Sequence, residues 1–265
     1  MTDNPHVWHY GLMAERWAEF INEAPEVPYF LGKIEQYGQP VLDLGCGAGR
    51  VLLPLLEKGI DIDGCDISTD MLKFCSQKAE RAGFHPNLYP ASMHAFDIPR
   101  QYKLIYICGS FGLTGSREND LETLKRCHSH LEEGGALIIN LQSDYNDPDW
   151  WSMWLPENRK SLPGPWPEKG AGRVGSDGGE HFGQFRLVAL DPLEQSYIRE
   201  VRLEKWVDGK LDQVEEYSLH GNIYFKNELL LMLKVAGFHD ITVYGDYGNE
   251  GATADHEEVV FTAIK

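Results

Sequence analysis

The chain has 265 residues and is 42% apolar, which is enough for one full α/β domain and an insertion. Its formal net charge is −17, and a field of this sign repels phosphate backbones, so we expect a small molecule rather than nucleic acid as its partner. The longest apolar stretches have the length of strands, so we expect no membrane span.

The first elements of the chain are a helical segment and a strand followed by a glycine-rich turn. Residues 1–38 are predicted to form an amphipathic helical cap. The segment 40–50 then reads PVLDLGCGAGR, and its apolar run predicts a buried strand over 41–45. Gly45, Gly47 and Gly49 permit a positive φ and the close approach of a ligand. A helix predicted over 48–58 would begin at this turn and direct free N–H groups toward that ligand.

The glycine turn alone leaves alternatives open. Glycine-rich turns between a strand and a helix also serve NAD, FAD and ATP, or are purely structural. The dinucleotide pattern G-x-G-x-x-G/A is not met, because Arg50 occupies its last position. The turn reads G-x-G-x-G instead, with Asp43 two residues before its first glycine.

The second strand, predicted over 60–66, ends in an acid. Asp66 follows Gly49 by 17 residues. An acid at the end of the second strand of a doubly wound sheet can accept hydrogen bonds from two ribose hydroxyls. Ser68 or Thr69 can then cap a helix predicted over 69–82. The two motifs together predict a nucleoside-binding site.

The rest of the chain alternates strands and helices around an insertion. Strands are predicted over 87–91, 102–108, 135–142, 240–245 and 257–264, and helices over 117–131 and 226–236. Such alternation predicts a parallel sheet with helices on both faces. Between these parts, 143–183 is a long loop rich in Trp, Pro and Gly, and runs of period two over 184–190, 196–207 and 211–219 predict about three antiparallel strands.

The glycine turn, Asp66 and the following D-x-S-x-x-M-L string resemble the first two motifs of the class I S-adenosylmethionine (SAM) dependent methyltransferases. The resemblance implies an α/β fold with a doubly wound, seven-stranded, mostly parallel Rossmann-like sheet. Residues 39–142 and 224–265 would form the SAM-binding domain. Residues 143–223 would form an antiparallel β substrate lid, similar to the insertions of small-molecule N- and O-methyltransferases such as glycine/sarcosine and amino-sugar methyltransferases.

The resemblance also implies which residues bind SAM. Ile67 and Met71 would flank the adenine, and Tyr10 is similar to a tyrosine that closes over SAM. Ser92 stands where the family usually has an acid that reads the adenine N6, with Asp97 as the alternative acid. The expected set is Tyr10, Asp43, Gly45, Cys46, Gly47, Gly49, Arg50, Asp66, Ile67, Met71, Ser92, Met93 and Cys108.

The implied reaction is methyl transfer to a small molecule, on N or O more readily than on C or S, with S-adenosylhomocysteine as product. Because SAM carries its own leaving group, the enzyme mainly aligns donor and acceptor, and a base is optional. Candidate catalytic residues are His181, His220 and Tyr145, and candidate acceptor contacts are Trp150, Trp154 and Tyr224. No metal is expected, because no C-x-x-C or H-x-x-x-H spacing occurs.

Two other classes of function remain open. One is a SAM-binding enzyme with other chemistry, SAM cyclisation or aminopropyl transfer, although the segment 108–112 lacks the acid that a polyamine site would want. The other is a catalytically silent SAM-binding protein, although the glycine turn and Asp66 are intact. Five cysteines without framework spacing, and no secretory signal, indicate a cytoplasmic protein, either a monomer or a homodimer.

Overall fold

A computed structural model describes residues 9–142 and 147–265 of the chain. The helices are α1 Gly11–Phe20, α2 Val27–Tyr37, α3 Leu52–Glu57, α4 Thr69–Arg81, α5 Arg117–His130, α6 Pro148–Ser152, α7 Pro156–Arg159 and α8 Lys226–Val235. The strands are β1 Val41–Leu44, β2 Ile62–Asp66, β3 Leu88–Pro90, β4 Tyr102–Ile107, β5 Leu131–Gln142, β6 Arg173–Val174, β7 Glu180–Asp191, β8 Ser196–Val207, β9 Lys210–Asn222, β10 His239–Gly245 and β11 Glu258–Ile264. No helix in these two ranges is long and apolar enough to cross a membrane.

The main sheet has seven strands in the order β10-β11-β5-β4-β1-β2-β3. Strands β1 to β5 pair in parallel, and β11 lies antiparallel between β5 and β10. The chain enters at β1, extends to β3, and returns to the other side of β1 at β4. This reversal creates a crevice at the carboxyl ends of β1 and β4, the usual ligand site of such sheets. The predicted fold class is confirmed.

Alternating residues of the central strands supply two separate cores, one on each face of the sheet. Leu42 and Leu44 belong to one buried cluster with Ile105, whereas Val41 and Leu104 belong to the other. All four residues of β1 are buried. A strand covered on both faces requires apolar side chains at successive positions, which explains why Asp43 is the single polar residue of this strand.

The third helix begins later than the sequence indicates. The prediction of a helix from 48 is wrong, because α3 begins at Leu52 and residues 47–51 form turns. Gly47 and Gly49 have φ values of +53° and +83°. A right-handed helix cannot contain these dihedral angles, so the backbone must complete the turn before the helix starts.

The insertion contains more regular structure than predicted. Beyond the predicted three strands, β6 adds a short fourth strand to an antiparallel sheet of order β6-β7-β8-β9, here called the insertion sheet. The described part of the predicted loop 143–183 also contains α6 and α7. Asp147 caps α6, since its Oδ1 accepts hydrogen bonds from the N–H groups of Asp149 and Trp150.

Candidate functional site

A first cavity of about 430 Å³ lies at the carboxyl ends of β1, β2 and β4. Its walls are the glycine turn, the segments that follow β2, β3 and β4, and helix α1. Its volume falls in the range of small-molecule sites. The first cavity therefore occupies the crevice that the strand order creates.

The glycine turn forms the floor of the first cavity. The N–H of Gly45 donates to the carbonyl of Cys65 over 2.7 Å, which joins the turn to the end of β2. A Cβ at Gly45 would lie 2.5 Å from Met93 Cε and from Ser110 Oγ, and its φ is +87°. A side chain at this position would be strained and would push into the cavity wall.

Asp66 is held rigidly at the edge of the first cavity. Its Oδ2 accepts a hydrogen bond from the N–H of Gly47 over 2.9 Å, and its Oδ1 accepts one from the N–H of Ser68 over 2.8 Å. Burial raises the pKa of Asp66, and these two N–H donors oppose the rise. Each carboxylate oxygen has further lone pairs, so the group can accept additional hydrogen bonds from a ligand.

Two opposite charges, on Asp43 and Arg50, also line the first cavity. Burial raises the pKa of Asp43 to about 7, and the Arg50 charge opposes the rise. The Arg50 guanidinium is anchored by an ion pair with Glu26 and donates to the carbonyl of Glu23 over 2.9 Å and to Cys108 Sγ over 3.5 Å. A ligand that carries both an ammonium and a carboxylate group would match this pair.

Two polar atoms in the wall of the first cavity are buried and have no hydrogen-bond partner in the described parts of the chain. They are the Oγ of Ser110 and the Nδ1 of His94, and both residues line the cavity. Buried polar atoms are normally paired, so these two indicate a place for ligand atoms. Ser110 was not among the predicted site residues, although its place just after β4 and the Cys108-Gly109 pair could have suggested it.

Helix α1 covers the first cavity. Trp17 and Ile21 line it, and each is 37% exposed. Tyr10, which precedes the helix, donates its hydroxyl to the carbonyl of Ile67 over 2.9 Å, and the N–H of Gly11 donates to Asp70 Oδ2 over 2.9 Å. These bonds tie α1 to the chain just beyond Asp66. Sequence reasoning missed Trp17 as a cavity residue, because a helix pattern does not show which distant surface its apolar face covers.

The structure brings most of the predicted SAM-binding residues together. Those that line the first cavity are Asp43, Gly45, Cys46, Gly47, Arg50, Asp66, Ile67, Met71, Ser92, Met93 and Cys108. Tyr10 and Gly49 do not line it. Tyr10 instead donates its hydroxyl to the carbonyl of Ile67. Gly49 packs against Cys75, so closely that a Cβ at Gly49 would lie 2.7 Å from Cys75 Sγ. Asp97, the alternative adenine acid, has a 94% exposed side chain outside the lining. The binding roles of these residues stay predictions.

The aromatic residues predicted to contact the acceptor lie elsewhere. Trp150 packs against Tyr197, and Trp154 packs against Phe225, with ring centroids 6.1 and 6.0 Å apart. Tyr224 is 8% exposed and donates its hydroxyl to Asp120 Oδ2 over 2.6 Å. None of the three lines the first cavity. Trp150 packs within the insertion, Trp154 packs the insertion against Phe225 of the main domain, and Tyr224 packs within the main domain.

The predicted catalytic residues are also dispersed. His181 is 3% exposed, and its Nε2 lies 3.7 Å from Glu15 Oε1, outside the first cavity. His220 lines a second cavity described below. Tyr145 lies outside the described residues. The structure therefore brings no two of these three residues together within the described ranges.

The ligating atoms of Glu15, Asp177 and His181 lie within 4.8 Å of one another, as in some metal sites. However, Lys205 Nζ lies 2.5 Å from Glu15 Oε1 and 2.6 Å from Asp177 Oδ2. The lysine already forms ion pairs with both carboxylates, so we interpret the group as an ion-pair network that joins α1 to the insertion sheet. That no metal is required stays a prediction.

Comparison with known proteins also indicates a methyltransferase. Residues 41–135 match a family described as a methyltransferase domain. The chain is 30% identical over 227 residues to YqeM, a candidate methyltransferase of Bacillus subtilis (strain 168), and the alignment covers 85% of this chain and 83% of YqeM.

Two solved structures share the fold. A SAM-dependent methyltransferase from Clostridium acetobutylicum ATCC 824 has a TM-score of 0.73 and 17% identity, with 96% of this chain and 97% of the other covered. The sugar N-methyltransferase KedS8 from Streptoalloteichus sp ATCC 53650 has a TM-score of 0.67 and 18% identity, with 96% and 91% covered.

Proposed function

Because the chain belongs to the class I SAM-dependent methyltransferases, we propose that it transfers the SAM methyl group to a nitrogen or oxygen of a small-molecule acceptor. The observation that carries the proposal is the first cavity, in which the glycine turn, the charge pair and Asp66 meet at the carboxyl ends of β1 and β2. When bound, SAM supplies a methyl group activated by its sulfonium leaving group.

The residues of the first cavity fit the parts of SAM. Asp43 would accept hydrogen bonds from the amino group, and Arg50 would bind the carboxylate. Asp66, fixed by Gly47 and Ser68, would accept hydrogen bonds from the ribose hydroxyls. The cavity side chains would thus bind the amino, carboxylate and ribose groups of the molecule and fix its orientation.

The other residues that line the first cavity would contact the adenine and exclude water from the bound SAM. Ile67 and Met93 offer apolar surface beside the predicted adenine position, and Ser110 offers a hydroxyl that lacks a partner. Trp17 of α1 and Ile21, the residue after this helix, cover the opening. Methyl transfer needs donor and acceptor to be aligned, which a covered and pre-shaped cavity favours. KedS8, which shares the fold, is described as a sugar N-methyltransferase. This description supports a small-molecule acceptor for the present chain and favours nitrogen as the methylated atom.

The proposal is tested with SAM that carries a deuterated methyl group. The protein is incubated with this SAM and a metabolite extract, and mass spectrometry identifies any product that has gained the labelled methyl group. At a SAM concentration below the wild-type Kd, we expect a labelled product with the wild type and much less with Asp66→Ala. SAM consumption with release of methylthioadenosine would indicate non-methyl chemistry such as SAM cyclisation, and SAM binding without consumption in any extract would indicate a silent binding protein. Either result would contradict the proposal.

A further inference from the structure

A second cavity, of about 320 Å³, lies beside the first, and Gly115 lines both. It is formed by the start of α5 together with the first residues of β8 and the last residues of β9. We propose that this second cavity holds the body of the methyl acceptor, and that the acceptor is a hydroxylated amine. This inference rests on the proposed function.

Among the described residues, the first cavity offers no charged group for a second molecule. Its charged side chains are Asp43, Arg50 and Asp66, and the amino, carboxylate and ribose groups of SAM match all of them. Its volume of about 430 Å³ is near the lower end of the range for one drug-sized ligand. The body of a polar acceptor therefore needs another place, within reach of the first cavity.

The second cavity is within reach because only the segment around Gly115 separates the two. A Cβ at Gly115 would meet no atom within 4 Å, so the space beside this residue is open. The wall is fixed, since the N–H of Asn222 donates to the carbonyl of Gly112 over 2.8 Å and joins the end of β9 to this segment. An acceptor can thus keep its body in the second cavity and extend one group past Gly115.

The charges around the second cavity favour a cationic ligand. Glu118 and Glu194 line it with exposed carboxylates, and neither forms an ion pair with any residue in the described parts of the chain. Arg117 also lines it, but its guanidinium binds Glu228 Oε1 over 2.6 Å and the carbonyls of Glu194 and Ile223 over 3.1 Å each. The nearby cation is therefore engaged, and the two carboxylates give the rim a negative charge that attracts an ammonium group.

The inner wall of the second cavity favours hydroxyl groups. Ser196 and Tyr197 line it with hydroxyl groups, which can both donate and accept hydrogen bonds. Asn222 also lines it, and while its Nδ2 donates to Asp120 Oδ2 over 2.7 Å, its Oδ1 can accept. Such a wall, together with the acidic rim, suits a small molecule that carries one amino group and several hydroxyls.

The transfer step balances without a further reactant. The acceptor atom that extends past Gly115 is a hydroxyl oxygen, or the amine nitrogen after its ammonium proton has gone to water, because an ammonium nitrogen has no free electron pair. This atom forms a bond to the methyl carbon while the carbon–sulfur bond breaks, and the electron pair of that bond stays on sulfur. A hydroxyl oxygen releases its proton to water in the same step. The products are the methylated acceptor and S-adenosylhomocysteine.

The test compares D-glucosamine with D-glucose, its uncharged counterpart, in calorimetric titrations of the protein saturated with S-adenosylhomocysteine. We expect glucosamine to bind at least tenfold more tightly than glucose. Ser196→Trp, which fills the second cavity, should abolish glucosamine binding, whereas Ser129→Trp at the exposed far end of α5 should not. Glu118→Gln should weaken binding about threefold, because an exposed charge is screened, and Glu122→Gln, one turn later in α5, should leave it unchanged.

S-adenosylhomocysteine binding is measured on every variant, which separates the two proposals. If the wild type does not bind S-adenosylhomocysteine, the proposed function itself fails. If it binds the cofactor product but not glucosamine, or if Ser196→Trp binds glucosamine as the wild type does, the assignment of the second cavity is overturned.

Discussion

The two acids of β2, Asp63 and Asp66, offer a sharp test of the proposed cofactor site. Asp63 accepts hydrogen bonds from Asn87, Arg100 and Tyr102 over 2.9 to 3.0 Å and does not line the first cavity. Asp66 binds two backbone N–H groups and does line it. Both are largely buried acids on one strand. A comparison of their alanine variants therefore distinguishes a loss of cofactor binding from a loss of stability.

Substitution Asp66→Ala removes the proposed acceptor of the ribose hydroxyls. A hydrogen bond to a charged group contributes about 1.5–3 kcal/mol, which corresponds to a roughly ten- to hundredfold rise in the Kd for S-adenosylhomocysteine. The protein should also lose about 1–3 kcal/mol of unfolding free energy, because Gly47 and Ser68 lose their acceptor while the burial cost of the carboxylate disappears. Calorimetric titration and urea unfolding measure the two effects.

Substitution Asp63→Ala should give the opposite pattern. Arg100 forms ion pairs with Asp61 and Asp63, and the substitution removes the buried one of these two partners. We therefore expect a loss of about 3–5 kcal/mol of unfolding free energy. The Kd for S-adenosylhomocysteine should stay at the wild-type value, and Asp63→Asn serves if the alanine variant does not fold. Wild-type affinity in Asp66→Ala, or an equal loss of affinity in folded variants at both positions, would refute the reasoning.

Other predictions concern the charge pair, the cavity cover and the unpartnered hydroxyl. Burial raises the pKa of Asp43 to about 7. The affinity for S-adenosylhomocysteine should therefore rise as pH increases through 7, because the ionised carboxylate binds the amino group, while the unfolding free energy of the free protein falls from about pH 4 to 7, because the unfolded state loses this proton first. Calorimetry and urea unfolding should find both trends flattened in Asp43→Asn. Trp17→Ala should weaken cofactor or acceptor binding with little loss of melting temperature, whereas Trp150→Ala should mainly lower the melting temperature. If thermal scans and kinetics show the reverse pattern, α1 does not cover the first cavity. Ser110→Ala should raise the Kd by less than about tenfold, since one neutral hydrogen bond contributes about 0.5–1.5 kcal/mol, and an unchanged Kd would show that the hydroxyl does not meet the ligand. Activity should survive EDTA treatment in the labelled-SAM assay, and a loss that Mg²⁺ or Zn²⁺ restores would contradict the absence of a metal requirement.

The parts of the site that the sequence predicts are those built from local segments. Asp43 and Gly45 follow directly from a buried strand and a turn, and Asp66 follows from the end of the next strand. In a parallel sheet these ends meet at one edge, so the local patterns suffice to bring the residues together. The late start of α3 was missed because the glycine pattern does not show which residues adopt a left-handed conformation.

The parts that the sequence does not predict depend on pairing over long distances. Trp17 reaches the first cavity because α1 is bonded to Ile67 and Asp70, more than 50 residues away in the chain. Trp150 does not reach it, since the short helix α6 turns its ring toward Tyr197. A concentration of tryptophan indicates packing or binding equally well, and only the tertiary contacts distinguish the two.

The most direct test of the proposed cofactor site is a crystal structure of the protein with S-adenosylhomocysteine. We expect the amino acid part of the ligand between Asp43 and Arg50, both ribose hydroxyls on Asp66, and Trp17 over the opening of the first cavity. A ligand bound elsewhere, or one in the first cavity whose ribose does not contact Asp66, would contradict it.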